Sequence, residues 1–129
     1  MWRVVAGLLA SGVIASACEC IPPSVGTAKR QSDVVFRGAV TEIHDYKVTL
    51  RVIRVWKGKP GVTFQMSALE EPVMHFCVGM WSSVKIGDDV LVYAHRVNNG
   101  TYWTRPCSRT RIAKGNEDLK QLGAGWPPK

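Results

Sequence analysis

The sequence predicts a mainly β domain, a small barrel or sandwich with a short helix near its C-terminal end. Three observations carry this expectation. Short segments rich in Val, Ile, Phe and Tyr alternate between apolar and polar residues, which is the period of a half-buried strand. Clusters of Gly, Pro, Asn and Asp separate these segments at turn spacing. A single late segment carries helix start and stop signals, and no internal repeat divides the chain. With 129 residues, 46% of them hydrophobic, the chain is too apolar for a disordered tail and too short for more than one ordinary domain.

Residues 1–17 stand apart from that domain. Met1, Trp2 and Arg3 lead into residues 4–15, which are apolar apart from Gly and Ser, and Ala15-Ser16-Ala17 matches the small-x-small pattern of a signal peptidase site. Residues 1–17 are therefore expected to be a signal peptide, leaving 18–129 as one secreted, extracellular domain with a short C-terminal tail. The apolar run is too short to span a bilayer comfortably, so no transmembrane segment is expected in the mature chain. Ala15-Ser16-Ala17-Cys18 also permits a lipobox reading, in which Cys18 is lipid-anchored at the cell envelope.

The remaining elements follow in order. Pro22, Pro23, Gly26 and Thr27 predict an extended arm and a turn, not a helix, over residues 18–30. Residues 33–43 read as a strand, with Gly38 marking a bend or a close backbone approach. Over 47–56, Val48, Leu50 and Val52 share one face before the apolar set moves to Ile53 and Val55, a shift that a bulge at 51–54 explains. The turn 57–61 leads to a third strand over 62–66, and residues 67–83 lack a period and are expected to form a loop tied down by Cys77. A fourth strand covers 90–95. Asn98-Asn99-Gly100 predicts a hairpin into 101–104, with positive φ at both positions of the Asn-Gly pair. Residues 116–123 predict the helix, with Asn116 as cap, Gly123 as stop and Leu119 and Leu122 as the apolar face.

All four cysteines, Cys18, Cys20, Cys77 and Cys107, follow the expected cut. In an exported chain an even number reads as two disulfides, with three pairings open. Bridges from residues 18 and 20 to the distant cysteines would close long loops, each worth about 4 kcal/mol of unfolded-chain entropy. If cleavage makes Cys18 the first residue, its free α-amine and its carbonyl are held by the adjacent disulfide and reach outward together.

A mature chain that begins Cys18-Glu19-Cys20 before Pro22-Pro23, then runs through Ser32-Asp33-Val34-Val35-Phe36-Arg37-Gly38 and Val55-Trp56-Lys57-Gly58, resembles the inhibitory domain of the tissue inhibitors of metalloproteinases. That domain is a netrin-like module. The resemblance spans nearly all of 18–113 and implies an OB-like barrel of five strands. It implies disulfides Cys18–Cys77 and Cys20–Cys107, and a Cys18 whose backbone amine and carbonyl bind the catalytic zinc of a target protease. It places Glu19 in the pocket beside that zinc, with Met74-His75-Phe76-Cys77 forming the neighbouring ridge, so that His75 and Phe76 join the inhibitory contact. A carboxylate at Glu19 is costly in an apolar pocket and suits a basic one.

The chain carries 17 Lys and Arg against 10 Asp and Glu, a net charge of +7. Arg51, Arg54, Lys57 and Lys59 are a candidate basic patch with Trp56, as are Arg105, Arg109 and Arg111 with Trp103; acidic glycans or a cell surface are the partners such charge implies. Export makes nucleic acid an unfavoured partner. His44, His75 and His95 lack the spacing of a metal motif, and no catalytic constellation or cofactor motif is present, so an enzyme is not expected. Asn99-Gly100-Thr101 is a formal glycosylation sequon that coincides with the hairpin turn. The alternative function is a non-inhibitory binding module at a cell surface or in the extracellular matrix.

Overall fold

A computed structural model of the chain describes residues 21–68, 80–105 and 107–129. The expected signal peptide, Cys18, Glu19 and Cys20, and the segment holding His75, Phe76 and Cys77, lie outside the described residues. The protein is mainly β. Strands β1 (Val34–His44), β2 (Lys47–Lys57), β3 (Thr63–Ser67), β4 (Asp89–Arg96) and β5 (Tyr102–Trp103) form an antiparallel sheet in the order β3-β2-β1-β4-β5, nearly closed into a barrel. Strand β6 (Arg111–Ile112) pairs with the start of β4. The two ends of the order meet through Phe64 on β3 and Tyr102 on β5, whose ring centroids are 4.8 Å apart.

The alternation read from the sequence is realised as two cores. Val34, Phe36 and Val40 of β1, Val48, Leu50 and Val52 of β2, Phe64 and Met66 of β3 and Val90, Val92 and Ala94 of β4 fill the barrel interior. Val35, Trp56, Leu91 and Tyr93 project from the other side of the sheet, where Ala28 and Ala113 bury with them. The bulge expected at 51–54 is present: Val52 opposes Gly38 and Arg54 opposes Arg37, which leaves Ile53 unpaired. Gly38 marks a close approach, because a Cβ there would lie 3.0 Å from the Arg51 carbonyl oxygen and 3.1 Å from the Phe36 ring. Trp81, on a 3-10 turn at Met80–Ser83, enters the interior core and donates its indole N–H to Thr104 Oγ1 at 2.9 Å.

The expectation of an extended arm through residue 30 is corrected by helix α1 (Val25–Gln31). Low propensity at Gly26 and Thr27 is overridden by capping and burial. Ser24 Oγ accepts from the Thr27 N–H at 3.2 Å, Val25 and Ala28 are buried, and Lys57 Nζ donates to the carbonyls of Lys29 and Arg30 at the helix end. The later helix forms as α2 (Asp118–Leu122), with Glu117 and not the expected Asn116 at its N-cap; Asn116, one residue earlier, accepts from the Asp118 N–H through Oδ1, and Gly123 ends the helix at φ 79°. Leu119 and Leu122 pack on the outer core.

The hairpin turn expected to carry two positive φ angles does not, and another turn does. At 97–101 only Gly100 has positive φ (84°), not both residues of the Asn-Gly pair, and Asn99 Oδ1 accepts instead from the Thr101 N–H at 2.9 Å. The turn with two positive φ angles is Asp45-Tyr46 (47° and 60°), joining the paired residues His44 and Lys47 without a glycine. No described helix is long and apolar enough to cross a membrane.

Candidate functional site

Ile21, the first described residue, is 95% exposed. Two residues later the Pro23 carbonyl accepts a hydrogen bond of 3.1 Å from Arg109 Nη1, which ties the arm after Cys20 to the segment that follows β5. An open, largely apolar cavity of about 290 Å³ lies here, lined by Ile21, Pro23 and Ala28 together with Tyr93, His95 and Cys107. Cys107 is disulfide-bonded, and its partner lies outside the described residues.

Beneath the arm is a polar anchor that the sequence did not reveal. Arg109 Nε donates to Asp118 Oδ2 at 2.7 Å, its Nη2 pairs with Oδ1, and the Tyr93 O–H donates to Oδ2 at 2.9 Å. Burial pushes the Asp118 carboxyl up, but hydrogen bonds from Arg109 and Tyr93 and the charge of Arg109 outweigh it, so the group lies below the usual carboxylate range. Its hydrogen bond to Asp118 holds the Arg109 guanidinium above its ordinary value. Burial, then the bond to Asp118, push the Tyr93 phenol up. At neutral pH the trio is an ion pair with a neutral phenol, which suits fixing the arm rather than moving protons. Only opposite charges nine positions apart could have signalled the pair, and that spacing is too common to single it out.

The candidate basic patch divides by role. Arg51 and Lys59 are exposed, whereas Lys57 is engaged at the end of α1 and Arg54 Nε donates to the Ala124 carbonyl at 2.7 Å. Trp56, the aromatic expected among them, is buried and donates its indole N–H to the Gly123 carbonyl at 2.9 Å. In the second cluster Arg109 belongs to the anchor and Arg111 donates to the carbonyls of Ser108 and Thr110, while Arg105 is exposed at the cavity. The Trp103 indole N–H is buried without a partner among the described residues.

His44 is exposed beside Asp45, at 3.1 Å, and His95 is half-buried on β4. Among the described residues, no group of three or more His, Cys, Asp or Glu is placed to hold a metal ion. Comparison with protein-family models and with curated proteins returns no match to this chain.

Proposed function

We propose that the chain is a secreted inhibitor of zinc metalloproteinases, acting through the backbone amine and carbonyl of Cys18. The observation that carries this reading is the meeting of Cys107 and Ile21 at one cavity: Ile21 directly follows Cys20, and Cys107 is disulfide-bonded. That proximity suits a Cys20–Cys107 bridge, and a nearly closed antiparallel barrel is compatible with an OB-type inhibitory domain. The Arg109–Pro23 hydrogen bond adds a second restraint on the same arm.

Rigidity is what the mechanism requires. A catalytic zinc keeps one coordination position for water, and a pre-oriented amine and carbonyl displace that water without a large ordering cost. A Cys18–Cys77 bridge would hold His75 and Phe76 beside the chelating residue. Glu19 then enters the adjacent pocket, so the preferred target has a basic one. The chelated zinc belongs to the target, and the chain needs no cofactor of its own.

The test is inhibition of a panel of zinc metalloproteinases by residues 18–129, with the amino terminus defined by intact mass and terminal sequencing. A free Cys18 amine should give inhibition that acetylation of that amine abolishes. Glu19→Thr should extend inhibition to proteases with apolar pockets. A blocked or lipidated Cys18 in the exported protein, or no inhibition by either form, would sink the proposal in favour of a surface-binding module.

A further inference from the structure

Two stretches without an acidic side chain meet along one edge of the barrel. Residues 46–68 contain Lys47, Arg51, Arg54, Lys57 and Lys59, residues 119–129 contain Lys120 and Lys129, and neither stretch has an Asp or Glu. The fold joins them: Val55 and Trp126 exchange backbone hydrogen bonds of 2.8 and 2.9 Å, so the tail extends the sheet beside β2. Bonds from Arg54 and Trp56 to the carbonyls of Ala124 and Gly123 hold the same segment. Gly125 permits the approach, since its φ is +63° and a Cβ there would meet the Val55 carbonyl oxygen at 2.5 Å.

Large apolar side chains are exposed on this same edge. Ile53 is 39% exposed, Val62 55% and Trp126 44%. Val62 accepts a backbone hydrogen bond from Val52, Ile53 is the unpaired bulge residue, and Trp126 pairs with Val55. All three are thus fixed to residues 52–55 of one strand, a span of about 10 Å. Single exposed apolar residues need no explanation, but a Trp, an Ile and a Val tied to one four-residue stretch of strand, with the exposed Arg51 and Lys59 in the same segment of chain, give this edge apolar and cationic side chains together.

We propose that this edge docks on an anionic lipid surface. Trp126, Ile53 and Val62 enter the boundary between headgroups and acyl chains, and Arg51, Lys59 and Lys129 meet the anionic headgroups. A sulfated glycan would engage the cations but gain little from Ile53 and Val62, which is why lipid is the better match. The proposal requires neither chelation by Cys18 nor a lipid attached to it.

The experiment is co-sedimentation of the exported chain with phosphatidylcholine vesicles, with and without phosphatidylserine. Binding should require phosphatidylserine and weaken with added salt. Trp126→Ala and, separately, the double variant Lys59→Glu with Lys129→Glu should each lower the partition by roughly tenfold. The double variant alters exposed side chains outside the packed core, and thermal melts should show both variants folded. Equal binding to both kinds of vesicle overturns the proposal, as does wild-type partition by folded forms of both variants. Binding to heparin fragments without binding to vesicles overturns it too, and assigns the strip to glycans.

Discussion

The two sides of the sheet are held by different means. Inside the barrel, Phe36, Leu50, Phe64, Met66 and Val92 pack as apolar volume, with the Phe36 and Phe64 ring centroids 4.8 Å apart. Outside it, two short helices and the tail cover Val35, Trp56, Leu91 and Tyr93, and each cover is tied down by a specific polar contact. Lys57 holds the end of α1, Arg109 and Tyr93 hold Asp118 at the start of α2, and Trp56 and Arg54 hold the tail. Helices of seven and five residues are too short to be stable alone, so they persist only where the sheet supplies partners. The interior should therefore fail by loss of volume, and the outer layer by loss of a partner.

Phe36→Ala tests the interior most severely. It should cost about 4 kcal/mol in urea unfolding, from lost transfer energy plus a cavity between Phe64 and the flanking valines. An effect below about 1 kcal/mol would show that the barrel interior is loosely packed or able to collapse.

Asp118→Ala tests the outer layer. It leaves the half-buried Arg109 guanidinium and the buried Tyr93 hydroxyl without their shared acceptor and should cost about 3 kcal/mol at neutral pH. The pH dependence follows from the direction of the shift. Asp118 has a lower pKa folded than unfolded, so its contribution is complete above the unfolded value of about 4 and is lost as pH falls through the folded one. The gap in melting temperature between wild type and Asp118→Ala should narrow below about pH 4; a gap that stays constant into acid would exclude an ionised Asp118 as its source.

Gly125→Ala sharpens the contrast at the tail. A left-handed backbone and a Cβ against the Val55 carbonyl should cost about 2 kcal/mol and release the tail while leaving the barrel folded. Amide exchange at Val55 should then accelerate more than exchange at Val92. Lys57→Ala is the mildest break, about 1 kcal/mol, because the carbonyls it leaves at the end of α1 can turn to water. Faster exchange confined to residues 25–31 is the expected sign; no change there would mean that burial of Val25 and Ala28 alone holds α1.

What could be read in advance and what could not divide along the same line. Alternation located β1 to β3 because burial of one strand face writes a period of two, a mostly apolar run located β4, which is buried on both faces, and the shift of the apolar set from Val52 to Ile53 and Val55 located the bulge. Helix α1 was not legible, because its Gly and Thr argue against a helix and what stabilises it, Lys57 and the sheet beneath Ala28, lies elsewhere in the chain. Trp56 and Trp126 look alike in composition, yet the tail covers the first and leaves the second exposed.

By itself, then, the sequence determined a β domain with its first five strands, its bulge, the stop of its last helix and a basic surplus, since each is written in neighbouring residues, whereas β6 forms only where β4 offers it a partner. Only the tertiary structure decided that Arg109 meets Asp118 and the Pro23 carbonyl, that Ile21 and Cys107 line one cavity, and that the tail pairs with Val55. Those contacts join residues separated by many positions, and their partners are selected by how the sheet curls, a property of the whole chain rather than of any local pattern.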